Sequence, residues 1–315
     1  MLQGGPRRDV IKVPRALLNG AAMAPFSLAR AGLLALALAL LAGCSMIRMG
    51  YPQLDTVALW TADEYFDLDT DQKREFQRRF DRLHEWHRYE QLPEYAAFLS
   101  ETKSRIEKGL TREDVLWITQ GVRARYRTLV VYVSDDAAAL LMTITPEQLD
   151  SLQQRWERVN RNFVREFRLE SSIEEQRRAT GRRVLSRIRD WVGHLDDAQE
   201  QQILAWAADL PLVHGPRHED RMRRQREFLQ LMSQRGDAGQ FAARLRQWLI
   251  DWEQGRDPAY DRLFKEWSQK QADLYAATYR ILLPHQREAL AERVQVYIND
   301  FTYLARRPAA QAAER

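Results

Sequence analysis

The sequence offers very little sulfur chemistry. Among 315 residues Cys44 is the single cysteine, so no intrachain disulfide can form and the core must be held by packing alone. Were that thiol acylated, none would remain for metal ligation or nucleophilic attack. A membrane-spanning run is missing too. The apolar stretch Ala31 to Gly43 has thirteen residues, against about 20 needed to cross a bilayer. There is no G-x-S-x-G elbow, no G-x-x-x-x-G-K-[ST] phosphate loop and no G-x-G-x-x-G after a strand, so the common hydrolase and nucleotide signatures are absent. An excess of one charge is lacking as well once the N-terminus is set aside. Residues 1–43 hold five basic residues and one acid, which leaves 43 of each sign from Cys44 onward. The formal charge of +4 therefore belongs to the leader, and nucleic-acid binding loses its electrostatic support.

What is present at the N-terminus has the layout of a signal peptide: Arg30, the Leu/Ala run, then Leu41, Ala42 and Gly43 before Cys44. This resembles the lipobox of bacterial lipoproteins. The resemblance implies cleavage before Cys44, a triacylated N-terminus and a mature chain of 272 residues. Ser45, not Asp, follows the cysteine, and resemblance to sorted lipoproteins implies delivery to the periplasmic face of the outer membrane. A start at Met23 would give a more compact n-region. Residues 1–43 are thus expected as signal peptide, 44–55 as a lipidated tether, 56–305 as the body and 306–315 as a polar tail. Eleven extended tether residues would reach about 35–40 Å.

Beyond Asp55 helical signals dominate. Phe76, Phe80, Leu83 and His87 share one helical face. Pro93 is placed as a first-turn proline and Gly109 as a stop. Thr111 opens a helix to about Ser134, in which Leu129 to Val133 is the one run where a strand is tenable. Ser172 to Glu175 reads as a capping box, and Pro211 to Pro216 as the clearest loop. The stripe Leu263, Trp267, Leu274, Thr278 and Ile281 reads as a buried face. The expectation is an all-α, multi-helix bundle of about ten helices.

Four helix starts share an aliphatic residue followed four positions later by glutamine: Leu68 with Gln72, Ile144 with Gln148, Leu195 with Gln199, and Leu282 with Gln286. Each glutamine falls at N3, where it can reach back to the cap N–H. The pattern also resembles the LTxxQ repeats of periplasmic helical chaperones of the Spy type.

The densest run of distinctive residues is Tyr65-Phe66-Asp67-Leu68, then Leu83-His84-Glu85-Trp86-His87-Arg88, then Leu92-Pro93-Glu94-Tyr95-Ala96. With Asn160 to Phe163 and Trp191 to Leu195, it resembles the signature of an uncharacterised family of Gram-negative bacterial lipoproteins, a domain of unknown function. That resemblance implies a compartment and no catalytic residues. Tyr65, His84, Trp86, His87, Arg88, Glu94 and Tyr95 form the candidate binding surface, although aromatic residues such as these and Trp60 suit a core equally well. His84 and His87 lie three apart and depart from the H-E-x-x-H zincin spacing. No metal and no cofactor is expected. His214 and His218 flank Pro216 and read as solvated loop residues. The pairs Asp135-Asp136 and Asp196-Asp197 read as acids at helix starts, and the arginine clusters 177–178, 182–183 and 221–226 as a solvated face.

The reading that follows is a lipid-anchored, non-enzymatic binding or scaffolding module. Its expected partners are the membrane, through the N-terminal lipid, and an envelope protein. The alternatives are an ATP-independent chaperone and a metal-dependent envelope enzyme built on the histidines.

Overall fold

The computed structural model describes residues 46–307, all of whose regular elements are helical. The expected signal peptide, Met23, the Leu41-Ala42-Gly43-Cys44 segment and the end of the expected tail lie outside the described residues. In chain order the helices are α1 (Met46–Gly50), a 3-10 turn (Tyr51–Gln53), α2 (Leu54–Phe66), α3 (Thr70–Trp86) and a π-helical turn (His87–Gln91). Then come α4 (Leu92–Gly109), α5 (Arg112–Leu141), α6 (Pro146–Glu166), α7 (Ile173–Val192) and α8 (Asp197–Ala208). The last four are α9 (His214–Ser233), α10 (Ala238–Ile250), α11 (Pro258–Ile281) and α12 (Pro284–Leu304).

Capping side chains fix most of these starts. Asp69, Thr111, Thr145, Ser172, Asp196, Asp237 and Asp257 each accept from a first-turn amide, satisfying donors that a helix cannot pair internally. Gly109 and Gly193 end α4 and α7 at φ 111° and 82°, a region that favours glycine. The β-branched run at Leu129 to Val133 stays helical inside α5, which continues past Ser134 to Leu141. With 30 residues α5 is about 45 Å long. It touches α3, α4, α10 and α11.

The described helices enclose two main apolar cores, the first of which takes Ala138 from α5. The first gathers Leu68, Ala138, Ile144, Leu152, Phe228 and Phe241; the second gathers Ile106, Leu185, Leu195, Ile203, Leu274, Leu282 and Val294. The four aliphatic residues of the sequence repeat are divided between them, two to each. Their glutamines are divided likewise. Gln72 and Gln148 are buried against one another and exchange amide hydrogen bonds, Gln72 Nε2 donating to Gln148 Oε1 at 3.0 Å and Gln148 Nε2 to Gln72 Oε1 at 2.6 Å. Gln199 and Gln286 do the same at 2.8 and 3.0 Å. Each side-chain carbonyl also accepts from its own cap N–H. Each amide donates its second proton to a backbone carbonyl of the facing segment: Thr143, Asp67, Ile281 and His194 in turn. Every polar atom of the four amides is used, which is what makes their burial affordable.

The bridges expose a repeat in the architecture. The five helices α2 to α6 are matched in order by α7, α8, α9, α11 and α12, with α10 left without a counterpart, and a bridging glutamine stands at the start of α3 and α6 in one half and of α8 and α12 in the other. Equivalent helices make equivalent contacts, α2 with α6 as α7 with α12, and α3 with α5 as α8 with α11. The third helix of each half crosses over: α4 contributes Ile106 to the second core, while α9 contributes Phe228 and Met232 to the first.

Several expectations change. Residues 46–53 are helical and packed on the body instead of forming an extended tether. Pro93 does lie in the first turn of α4, but no loop precedes that helix, because the backbone stays right-handed helical through Gln91 and Leu92. The π-turn, in which Leu92 N–H reaches His87 O, adds the residue that relieves the clash of the proline ring with the preceding turn. Ser172 caps α7 through Glu175 N at 3.3 Å without the reciprocal bond. Pro216 falls in the first turn of α9, not in a loop, since a missing N–H costs nothing there. Asp135 and Asp136 lie late in α5, where they pair with Arg246 and with Arg79 and Arg82.

The bridges predict a specific coupling. Gln72→Leu strands the Asp69 amide, the Thr143 carbonyl and the Gln148 amide, and should cost about 1–3 kcal/mol or more in chemical denaturation. The double variant Gln72→Leu, Gln148→Leu should cost clearly less than the sum of the two single changes. Strict additivity would deny the bridge.

Candidate functional site

The 3-10 turn carries Tyr51 into a third, smaller cluster made with Leu92 and Leu304, against which Ile47, Tyr95 and Phe301 pack. The aromatic face of α3 leads to the same place. Phe76 stacks on Phe80 at 5.8 Å between ring centroids, and Phe80 meets His84 at 5.8 Å. Tyr51 caps this ladder at 4.7 Å from His84, and its hydroxyl shares a 2.8 Å hydrogen bond with His87 Nδ1. Tyr95 meets His87 edge-on at 5.3 Å. Arg88 Nε donates to Leu304 O at 2.7 Å, fastening the π-turn to the end of α12.

A buried charge secures the same junction. Asp300 has a side chain 1% exposed and receives Arg48 Nε on Oδ1 at 2.5 Å. The Arg48 guanidinium lies over the Tyr303 ring at 4.6 Å. Arg48 is about a third exposed, but its removal would leave the buried Asp300 carboxylate uncompensated, so the contact holds α1 to α12.

Electrostatically the cluster is neutral at its centre. Burial pushes the His84 and His87 imidazoles below their usual range, aided by Arg88 at His84 and by His84 itself at His87. Burial raises the Tyr51 and Tyr95 phenols. Neutral imidazoles stacked on rings act as packing groups with one polar edge. Among the described residues no three His, Cys, Asp or Glu side chains come together as a metal site.

Of the seven candidate surface residues, the fold unites His84, His87, Arg88 and Tyr95. Tyr65 instead packs on the first core beneath the Arg155 guanidinium, 5.4 Å from its ring centroid. Trp86 turns to α5 and stacks on Tyr132 at 3.8 Å and 6°. Glu94 is exposed. The residues missed in the sequence were Tyr51, Arg48 and Asp300. Tyr51 sits in the stretch taken for a tether. Asp300 had one readable signal, an acid beside Phe301 on an apolar helix.

The second histidine pair is not solvated. His214 and His218 lie on α9, with His214 at 4.1 Å from Phe167 and His218 stacked on Phe163 at 5.6 Å. Two arginines expected on a solvated face close this stack, Arg183 over Phe167 at 4.6 Å and Arg221 over Phe163 at 4.9 Å. Arg223 and Arg224 are engaged too, Arg223 with Asp220 at 2.7 Å and Arg224 over Trp248 at 3.7 Å. Burial, followed by the charges of Arg183 and Arg217, lowers the His214 pKa from 6.5 to about 4. As pH falls below 6.5 the unfolded chain takes up this proton before the folded one, so folding stability should decline between about 6.5 and 4. His214→Phe should flatten that part of a stability–pH profile measured by denaturation. An unchanged profile would contradict the burial of a neutral imidazole.

No curated protein and no solved structure matches the chain. A family model does match, over residues 64–261, which takes in the aromatic face of α3, the π-turn and both histidine pairs. The chain belongs to DUF6279, a family of unknown function.

Proposed function

We propose that the chain is a lipoprotein held at Cys44 on the periplasmic face of the outer membrane, with its helical body acting as a binding or scaffolding module for an envelope protein. The observation that carries this reading is the seating of residues 46–53. Arg48 and Tyr51, within seven residues of Cys44, are locked to Asp300 and His87, so a lipid on that cysteine would be coupled to the body through a short folded segment.

The rival readings find less support. The four glutamines that suggested a chaperone are consumed in two internal bridges, and offer no surface to unfolded clients. His87 spends Nδ1 on Tyr51 and presents its ring to Tyr95, which suits a packed junction better than an open reaction site. Binding has room elsewhere. One open concavity of about 590 Å³ lies beside α9 and the start of α11, lined by Pro216, Asp220, Arg223, Arg226, Tyr260 and Leu263.

Cys44→Ala should abolish palmitate incorporation and release the chain from the membrane fraction, since stable attachment needs more than one acyl chain. Crosslinking in cells should recover one or a few envelope proteins. Unchanged palmitate labelling would end the lipoprotein reading, and a broad collection of unfolded clients would favour the chaperone.

A further inference from the structure

Helix α2 has two apolar faces. Leu59, Ala62, Tyr65 and Phe66 pack on the first core. On the other side Leu54, Val57 and Trp60 recur every third residue and are 37%, 54% and 64% exposed, and Met49 in α1 is 68% exposed. Residues three apart on a helix differ by about 60° in direction, so the three form one continuous arc. The charges of α2 do not dilute it. Asp63 is bound to Lys73 at 2.9 Å and Glu64 to Arg155 at 2.5 Å. Asp55, the third carboxylate, is half-buried in the first turn, so the helix ties two of its three carboxylates to the body and turns a tryptophan outward, the reverse of an ordinary solvent-facing helix.

The place of this arc in the chain identifies what covers it. Cys44 and Met46 are separated by Ser45 alone, two steps of chain that span at most about 7 Å. From Met46 to Trp60 the helical path adds only about 20–25 Å. Beside α1, Tyr303 is 52% exposed at the end of α12. The guanidinium groups of Arg48 and Arg306 lie 4.6 and 6.0 Å from its ring centroid, and that of Arg307 lies 5.1 Å from Tyr89. Exposed tryptophan and tyrosine with arginines alongside are the residues that settle at a membrane–water boundary, where rings reach the acyl region and guanidinium groups meet phosphates.

We propose that Met49, Leu54, Val57 and Trp60 form a lipid-contacting surface that rests in the interface of the bilayer holding Cys44, with Tyr303, Arg306 and Arg307 at headgroup level. The proposal rests on the lipoprotein reading above. It makes attachment two-part, acyl chains plus a side-chain surface, and fixes which side of the body faces away from lipid.

The test uses the full lipidated chain, purified and reconstituted in phosphatidylethanolamine–phosphatidylglycerol vesicles with brominated acyl chains. Acylation occupies the native cysteine, so Val57→Cys, Trp60→Cys, Ile173→Cys and Leu204→Cys each supply one reactive thiol for a fluorescent label at an exposed position. Labels at 57 and 60 should be quenched at least twofold more than labels at 173 and 204. Equal quenching at all four would overturn the surface. Labels at 57 and 60 shielded from aqueous iodide yet untouched by brominated lipid would overturn it as well, because a second copy or another protein would then cover the arc. Palmitate content of the same preparation separates the two claims. Palmitate without selective quenching removes the surface alone, whereas absence of palmitate removes the lipoprotein reading and the surface with it.

Discussion

Where two helix starts come together inside a protein, both present unpaired amides and both carry the positive end of a helix dipole. The N3 glutamines answer both problems in two places. In each pair, two carbonyl oxygens lie between the helix starts and accept from both cap amides, while the amide protons cross to the other glutamine and to the facing backbone. Asp69 and Asp196 add a carboxylate at one member of each pair. The arrangement works only if the two starts lie side by side, and this geometry buries Leu68 with Ile144 and Leu195 with Leu282. Each core is therefore built beside one bridge.

The candidate site depends on the same constraint. The second bridge sets where α12 begins, and α12 then runs along α4 for most of its length. Its far end delivers Asp300, Phe301 and Leu304 to the π-turn and to Tyr51. Exchange of α4 and α9 between the halves ties the two cores into one body, so the segment next to Cys44 is joined to the whole molecule through α12. The packed histidines His84 and His87 are part of that junction, through the Tyr51 and Tyr95 rings.

The local chemistry was legible in the sequence. Asp69, Thr145 and Asp196 with glutamine three residues later marked true helix starts, and the stripe of α11 marked a face whose Leu274 and Thr278 are buried, whereas Phe76, Phe80 and Leu83 of α3 are only half-buried. What one strand of text could not give was the partner of each glutamine, because reciprocity between positions 76 residues apart is a property of packing. Other departures have the same origin. Gly50 and Pro52 suggested a leash until Asp300 and His87 were there to hold Arg48 and Tyr51. His214 looked solvated beside Pro216 until Phe163 and Phe167 enclosed it. Trp86, grouped with its sequence neighbours, points to α5 because residues 84 and 86 diverge by about 200° around a helix.

The most direct test of this account is side-chain hydrogen exchange read by nuclear magnetic resonance on the full chain. The amide protons of Gln72, Gln148, Gln199 and Gln286 should exchange far more slowly than those of exposed glutamines such as Gln77. Cross-relaxation should link Gln72 with Gln148 and Gln199 with Gln286. Exchange at the rate of exposed glutamines, with no cross-relaxation within either pair, would contradict the bridges and the architecture derived from them.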